Sequence, residues 1–451
     1  MMYDLIVIGG GMAGLSAAFY ARELGLNFLL LEASNRVGGC IQSELVQGTY
    51  VLEKGPNSLS TGPTLNEIID KLKLNKQQPE KEARGKLIYA KGSLHEVSNP
   101  IYLFGSNFLS SKARLSLLSE AFRDGQSNPS EEESVAAFFS RRFGPEIVDL
   151  LIWPLLNGIY AGNPEILSMQ SVFPRLYEVE QKHKTLLGGL WKEFWDARRN
   201  KHNQAISPKR IASFSSGLQS LTEALGQRLS EHIKCNSPVQ SLEKFSHGFQ
   251  LTTQAGEYLE AKKVIVAVPA HQITGLNLHY FGSLKQIEYA PVITMMVWAK
   301  TRPGDKIDHL LRSSFGFLNA RGGNLKLLGV VFNSALFTGR APTGRHALTC
   351  FLGGALGEEQ MNLNDAELSH LCVNDLCTVT GWEANDFDVK KITRWPKAIP
   401  QYKLGHKDLL EILHAKLPEN LRLAGNYLSG VSLEETALSG KRALDELFAR
   451  T

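Results

Sequence analysis

Residues 4–32 constrain this chain more than any other stretch. They open with Asp-Leu-Ile-Val-Ile-Gly-Gly-Gly-Met-Ala-Gly-Leu-Ser and close with Phe-Leu-Leu-Leu-Glu. The short, apolar, β-branched run Leu5–Ile8 predicts a buried parallel strand. Gly9, Gly11 and Gly14 follow as G-x-G-x-x-G. The first glycine permits a tight turn, and the second has no side chain to block a pyrophosphate. The third lets a helix from Met12 to about Leu24 pack closely on the strand. The start of that helix, Gly10 through Met12 and Ala13, aims amide N–H groups and a partial positive charge at phosphates. A second strand, Phe28–Leu31, ends at Glu32, placed to accept hydrogen bonds from a ribose. Strand, glycines, helix, strand and acid, in that order, predict a dinucleotide-binding unit at the head of an α/β fold.

A chain of 451 residues suggests about two to three domains. The 49 basic and 45 acidic residues give a net charge of +4. That balance is too weak to argue for nucleic acid, and no basic stripe interleaved with aromatics supports it. It is compatible with weak attraction to anionic lipid heads. Cys40, Cys235, Cys350, Cys372 and Cys377 are scattered without a C-x-x-C, so neither a zinc site nor a disulfide framework is indicated. No metal is expected. No run approaches 18 consecutive apolar residues and the first residues enter a strand at once. The expected location is the cytoplasm, with attachment to the inner face of the cell membrane left open.

Further along, Ala33-Ser-Asn-Arg36-Val-Gly-Gly39 sets an arginine and a diglycine beside the expected phosphates. Gly55-Pro56-Asn57-Ser58 forms a tight turn. Leu87–Ala90 and Leu94–Val97 read as a hairpin. From Pro100 to about Trp195 the pattern turns helical, with amphipathic stretches at Ser134–Phe143 and Glu146–Leu156. The apolar residues of 101–118 could serve a core or a membrane-docking surface. Strands resume near Phe249–Thr253 and Lys262–Ala270, then at 292–300, 326–332 and 346–352, which read as an antiparallel sheet. A helix fills 365–381. Leu421–Tyr427 reads as a strand reaching a glycine turn, and Thr436–Phe448 as a final helix. Ligands of doubly wound folds lie at the carboxyl ends of strands, which gathers residues 9–14, 32–39, 55–58 and 425–431 around one cofactor. Nicotinamide enzymes share the first motif but do not usually need the diglycine or the returning strand and helix. FAD fits better.

Four further segments make the resemblance specific. They are Trp395-Pro-Lys-Ala-Ile-Pro-Gln-Tyr402, Ala424-Gly-Asn-Tyr-Leu-Ser-Gly-Val-Ser432, Gly158-Ile-Tyr-Ala-Gly-Asn-Pro164 with Leu167-Ser-Met169, and Leu336-Phe-Thr-Gly-Arg-Ala-Pro342. In this order the chain resembles the protoporphyrinogen oxidase family, from residue 3 to about residue 446. The family lies in the wider amine oxidase-like flavoprotein group. The resemblance implies a Rossmann-like FAD-binding domain (1–80, 209–275 and 390–451) interleaved with an antiparallel-sheet α+β substrate domain (81–98 and 276–389). It also implies a helical, membrane-associating insertion (99–208). Gly9, Gly10, Gly11, Gly14 and Glu32 would hold the pyrophosphate and adenine ribose, with Ala33, Arg36 and Gly39 nearby. Gly55, Pro56, Asn57 and Ser58 would approach the flavin, and Val239 the adenine. Trp395 would pack near the isoalloxazine ring, and Gly425, Asn426 and Val431 would line its pyrimidine end.

For the substrate, Phe332 resembles the family's stacking aromatic, Phe315 would pack on the other side, and Gly158 and Gly162 would form a loop against the macrocycle. A propionate would pair with Lys86, where the family often has arginine, or with Arg84. Lysine lacks the bidentate fork. Relatives acting on coproporphyrinogen III, a tetracarboxylate, tend to lack that arginine. The implied activity is the oxygen-using oxidation of protoporphyrinogen IX to protoporphyrin IX with peroxide formation, in haem synthesis, by three two-electron steps. No catalytic side chain is assigned, because the redox chemistry belongs to the cofactor. Three other readings stay open: coproporphyrinogen III oxidation, a flavin amine oxidase, and a non-catalytic FAD protein. The last cysteine, Cys377, precedes Trp395, so the cysteine tether of many amine oxidases looks absent and FAD is expected to be non-covalent. The expected partners are the porphyrinogen and oxygen, not nucleic acid. A membrane contact and a homodimer are left open.

Overall fold

The computed structural model describes residues 2–81, 83, 85–99, 105–120, 132–183, 185–199, 210–273, 275–276 and 279–449. The chain divides into two compact units, each assembled from separate segments. Met1–Gln78, Pro208–Glu288 and Asp408–Thr451 make the first; Pro79–Ser207 and Tyr289–Lys407 make the second. The helical stretch 99–208 does not separate from the second unit. The expected boundary at 390 falls inside a strand, Phe387–Pro400, which belongs wholly to the second unit. Residues 276–288 go with the first unit rather than with the substrate segment.

In the first unit β1 (Met2–Ile8), α1 (Met12–Glu23) and β2 (Phe28–Leu31) form a right-sized β–α–β opening. β1 lies between β2 and the strand Tyr258–Val266 and runs parallel to both. Leu421–Leu423 continues the parallel set beyond Val264–Val266, and Ile233–Lys234 beyond β2. An antiparallel pair, Val239–Phe245 and Gly248–Thr253, joins the other half of Tyr258–Val266. Leu5, Ile6 and Val7 are 0% exposed, as a parallel strand covered on both faces requires. The closing helix, Leu433–Phe448, lies on α1: the Ser16 hydroxyl donates to Ala437 O at 2.7 Å. A β-carbon at Gly440 would sit 2.0 Å from Ala13 O, so only glycine permits this approach.

The second unit is built on a seven-stranded sheet. Its strands are β3 (Gly85–Ala90), β4 (Tyr289–Lys300), β5 (Ser314–Asn319), β6 (Gly329–Phe332), β7 (Arg345–Gly353) and β8 (Phe387–Pro400), with Ser93–Glu96 at one edge. The order is β8-β4-β7-β6-β5-β3-(93–96), antiparallel except for β3 and β5. β5 and β8 carry no clear strand pattern in sequence. β8 holds Pro396 and Pro400 among Lys390, Lys391 and Arg394, which is tolerated because it is an edge strand pairing only with β4. The amphipathic stretch Ser134–Phe143 forms the helix Val135–Phe143, capped by Ser134, whose side chain accepts from Ala137 N–H. The amphipathic stretch after Glu146 becomes a π-helical turn, Val148–Ile152, leading into α2 (Trp153–Tyr160). Of the apolar residues in 101–118, 101–104 lie outside the described residues, Phe108 and Leu109 are buried, and Leu115 and Leu118 are exposed. Among the described residues no helix is long and apolar enough to cross a membrane.

One face of this sheet is closed by helices. The Cys350 thiol on β7 meets that of Cys372 on the helix Asp365–Thr380. His346 on β7 bonds Asp308 of the helix Lys306–Ser313 through Nε2 at 2.8 Å. Burial pushes the Asp308 carboxyl up, but hydrogen bonds from Arg312 and His346 and from Arg302 N–H outweigh it and hold the pKa at about 2. Burial lowers His346 despite its carboxylate partner. Both groups bind protons less readily folded than unfolded, so both make stability rise with pH and fall on acidification. The His346 contribution begins to be lost below about pH 6.5, and that of Asp308 from about pH 4 down to about pH 2. The Asp308 share amounts to about 2 kcal/mol. Denaturant titrations at stepped pH should show this slope, and Asp308→Asn should flatten its lower part.

Candidate functional site

The first unit forms a cradle at the carboxyl ends of β1 and β2. Gly9 adopts φ +104°, and its N–H donates to Leu31 O at 2.8 Å. A β-carbon at Gly14 would lie 1.9 Å from Gly9 O, so the tight helix–strand contact needs glycine there. Gly11 differs: nothing lies within 4 Å of where its β-carbon would be. It is also the N-cap of α1 and makes no side-chain cap, so the N-cap residue satisfies none of the first-turn amides. This is the room and the field a pyrophosphate needs.

Glu32 closes one side. Its Oε2 accepts from Gly10 N–H at 2.7 Å, and its Oε1 accepts from the Ser34 N–H and hydroxyl at 2.8 and 2.7 Å. A carboxylate offers about four acceptor sites, so lone pairs remain for ribose hydroxyls. Ala33 follows it, exposed at the strand end. The Arg36 guanidinium donates to Val37 O, Ile41 O and Gly39 O, winding residues 36–41 into a compact loop. Gly38 N–H donates to Gly10 O at 2.8 Å, and a β-carbon at Gly39 would meet Gly11 Cα at 3.5 Å. The loop before Val239 sits against the same strand end: Ser237 N–H donates to Glu32 O and Asn236 N–H to Ser34 O, each at 2.9 Å. Gly10, Gly11, Glu32, Arg36, Gly39 and the approach to Val239 therefore converge.

Gly55, Pro56, Asn57 and Ser58 form the bend between Tyr50–Glu53 and Leu59–Thr61. Buried Glu53 anchors the start of this bend, accepting from the Ser43 hydroxyl at 2.6 Å and Leu218 N–H at 2.8 Å. Gly425, Asn426 and Val431 connect Leu421–Leu423 to the closing helix, and the Ser439 hydroxyl receives the Gly425 N–H at 3.0 Å. Sequence reasoning missed Glu434. Fully buried in the first turn of that helix, it accepts from Gly62, Thr64 and Leu65 N–H at 3.1, 2.9 and 2.9 Å and so caps the helix Pro63–Lys71. The glycine at 62 signals the close approach only once the partner is known.

The second unit carries the remaining candidates, and the sheet register sorts them. Lys86 is level with Gly316, Gly316 with Val331, Val331 with Thr349, Thr349 with Met296 and Met296 with Lys391. The next row on the same face runs Ile88, Leu318, Gly329, Phe351, Thr294 and Thr393. Trp395 is level with Val292 on that face as well. Leu318, Val331, Phe351 and Trp395 are half-buried and Lys86 is exposed. Gly158 on α2 stands over this face: a β-carbon there would lie 2.8 Å from Leu318 Cδ2. Gly162 follows two residues beyond the end of α2.

Phe332 is one residue out of phase. It is 1% exposed and its ring lies 6.3 Å from that of Phe317, on the opposite, helix-covered face. It is a core ring and cannot serve as the open platform expected of it. Phe351, one strand away, presents the half-buried aromatic on the face of Lys86, Gly158 and Trp395. Phe315 sits where the β3–β5 pairing slips by one residue between Ser314 and Gly316, half-buried at a bulge. Arg84 lies outside the described residues. Among the described residues no group of three or more potential metal ligands occurs.

A glycine-turn cradle with an uncapped helix N-terminus and a carboxylate at the end of the second strand has the form of a dinucleotide-binding unit, carried by the same chain as this half-covered sheet. The sequence profile described as flavin containing amine oxidoreductase matches residues 12–447. Protoporphyrinogen oxidase 1, chloroplastic, of Arabidopsis thaliana is 30% identical over 95% of this chain and 85% of its own. Coproporphyrinogen III oxidase of Bacillus subtilis is 28% identical over 98% of this chain and 97% of its own. In fold, the crystal structure of an Exiguobacterium protein provisionally named a protoporphyrinogen oxidase superposes with a TM-score of 0.79 at 24% identity, covering 99% of both chains. The chain belongs to the flavin containing amine oxidoreductase family, in the group formed by protoporphyrinogen oxidases and their coproporphyrinogen III oxidase relatives. It is an oxidoreductase and its cofactor is FAD.

Proposed function

We propose that this flavoprotein oxidises protoporphyrinogen IX to protoporphyrin IX in haem synthesis, with oxygen as the electron acceptor and peroxide as the second product. The observation that carries this reading is the near-complete match to proteins named for that reaction, at about 30% identity. FAD, held non-covalently at Gly9–Gly14, Glu32, Arg36 and Gly39, supplies the two-electron redox chemistry. Gly55–Ser58, Val239, Gly425, Asn426 and Val431 would contact its remaining parts. The chain's own share is binding and exclusion of water. Phe351, Leu318 and Val331 offer an apolar surface to a macrocycle, Gly158 and Gly162 let the turn after α2 approach closely at its margin, and Trp395 bounds the same face. Lys86, exposed at the edge of that face, supplies a positive charge to a propionate. No side chain is asked to transfer the substrate's hydride.

A second reading is favoured by two observations. Lys86 stands where an arginine is often found, and the match to the Bacillus subtilis coproporphyrinogen III oxidase spans almost all of both chains. A tetracarboxylate would draw on further basic residues around this face besides Lys86, rather than on one bidentate fork. The test is the fluorescence-monitored oxidation of both porphyrinogens, side by side in air, by the purified yellow protein. Faster turnover of protoporphyrinogen IX supports the first reading, and faster turnover of coproporphyrinogen III replaces it with the second. Lys86→Met should raise the KM of the preferred substrate about fivefold, since an ion pair at an exposed edge contributes at most on the order of 1 kcal/mol. An unchanged KM removes Lys86 from the site.

A further inference from the structure

The turn Tyr160–Gly162 is pinned by groups that neither the cofactor cradle nor the sheet face explains. Ala161 adopts φ +46° and ψ +35°, the left-handed region, where a residue with a β-carbon is strained. Three hydrogen bonds hold it there. Ala161 N–H donates to Asn157 O at 3.1 Å, Ala355 N–H donates to Ala161 O at 2.7 Å, and Gln401 Nε2 donates to Tyr160 O at 2.8 Å. Gln401, 4% exposed, lies just past the end of β8. Its Nε2 also donates to Ile399 O at 3.1 Å, so two carbonyls fix the orientation of the amide. Its Oε1 is left buried and without a hydrogen-bond partner among the described residues. That oxygen abuts Gly162, where a β-carbon would lie 2.4 Å from it.

The turn matters because of what it covers. Ala161 packs with Ala290 and Val292, and Phe351 packs against that cluster. A buried amide that leaves its own acceptor unsatisfied is costly, and so is a left-handed alanine. Both persist at one turn, beside the aromatic of the open sheet face. Packing alone needs neither: an apolar side chain at 401 and a glycine at 161 would fill the same space without strain.

We propose that Gln401 is a positioning residue that clamps Ala161 in its left-handed conformation and thereby fixes the wall lying against Phe351 on the substrate face. This rests on the reading of that face as the porphyrinogen surface. Glycine takes the left-handed conformation freely, so Ala161→Gly removes the need for a clamp. The test is a double-mutant cycle on the FAD-loaded enzyme. Gln401→Met should raise the porphyrinogen KM about tenfold with kcat changed by less than about twofold, but raise KM only about twofold when Ala161→Gly is already present. Equal factors in the two backgrounds overturn the proposal. Should Gln401→Met fail to fold, Gln401→Leu, which is close in volume and has no donor, carries the same cycle.

Hydrogen exchange at the Ala355 amide gives a readout that needs no substrate. Gln401→Met should speed it in the parent and speed it less in the Ala161→Gly background. Unchanged exchange overturns the clamp. A parent enzyme that oxidises neither porphyrinogen while exchange still reports the coupling discards the functional reading and leaves the clamp standing.

Discussion

Gly14→Ala is expected to yield a protein that retains no flavin and has lost about 3 kcal/mol or more of stability, because overpacking against backbone cannot relax by moving a side chain. The added methyl would sit 1.9 Å from the Gly9 carbonyl oxygen, and α1 cannot retreat. Its other side lies under the closing helix, where Gly440 already lets Ala13 O approach as near as backbone can. Gly11→Ala should behave differently. No atom lies within 4 Å of that methyl and the backbone there is extended at φ −71°, so the apoprotein should lose about 1 kcal/mol at most, the cost of alanine at an N-cap. Its FAD affinity should nevertheless fall about tenfold or more, because the methyl takes the space left for the pyrophosphate. Denaturant midpoints of the apoproteins together with flavin-to-protein absorbance ratios separate the two. A Gly11→Ala protein that binds FAD as the parent does would move the pyrophosphate away from this turn.

Phe351→Ala should show the substrate effect that the family resemblance assigns to Phe332, and Phe332→Ala should not. Phe332 is a core ring facing Phe317, so its truncation should cost about 3–5 kcal/mol of stability and leave the KM of the surviving folded protein nearly unchanged. Phe351 is half-buried on the face shared with Lys86, Leu318 and Trp395. Its truncation should cost less stability and raise KM about tenfold, the worth of one lost aromatic contact. A KM effect confined to Phe332→Ala would mean that the sheet turns its other face to the substrate.

These two contrasts mark how far the sequence can be read. The cofactor cradle was legible because its demands are local. A tight turn, room for phosphate and a close helix–strand crossing each require glycine at a set spacing, so Gly9, Gly11 and Gly14 announce themselves, and Glu32 follows from the strand that must end there. The β3 hairpin and the helix Asp365–Thr380 were legible for the same reason, since alternation and capping are local properties.

The substrate face was not legible in this way. Which side of a strand a residue occupies changes with a one-residue slip, and β6 is only four residues long, too short for its own alternation to declare the side. Its register against β5 and β7 placed Val331 outward and Phe332 inward. β8 hid its strand behind prolines and lysines that only an edge position tolerates. Glu434 and Gln401 were equally silent. Each is an ordinary polar residue until the fold brings it to backbone groups 372 and 241 positions away in sequence. By itself the sequence determined the glycine turn between β1 and α1, the cofactor class and the family, because those rest on short-range steric rules and contiguous motifs. Only the tertiary structure decided which residues share the open sheet face and which buried polar groups hold its covering turn, because strand register and long-range hydrogen bonds are set by how distant segments pack.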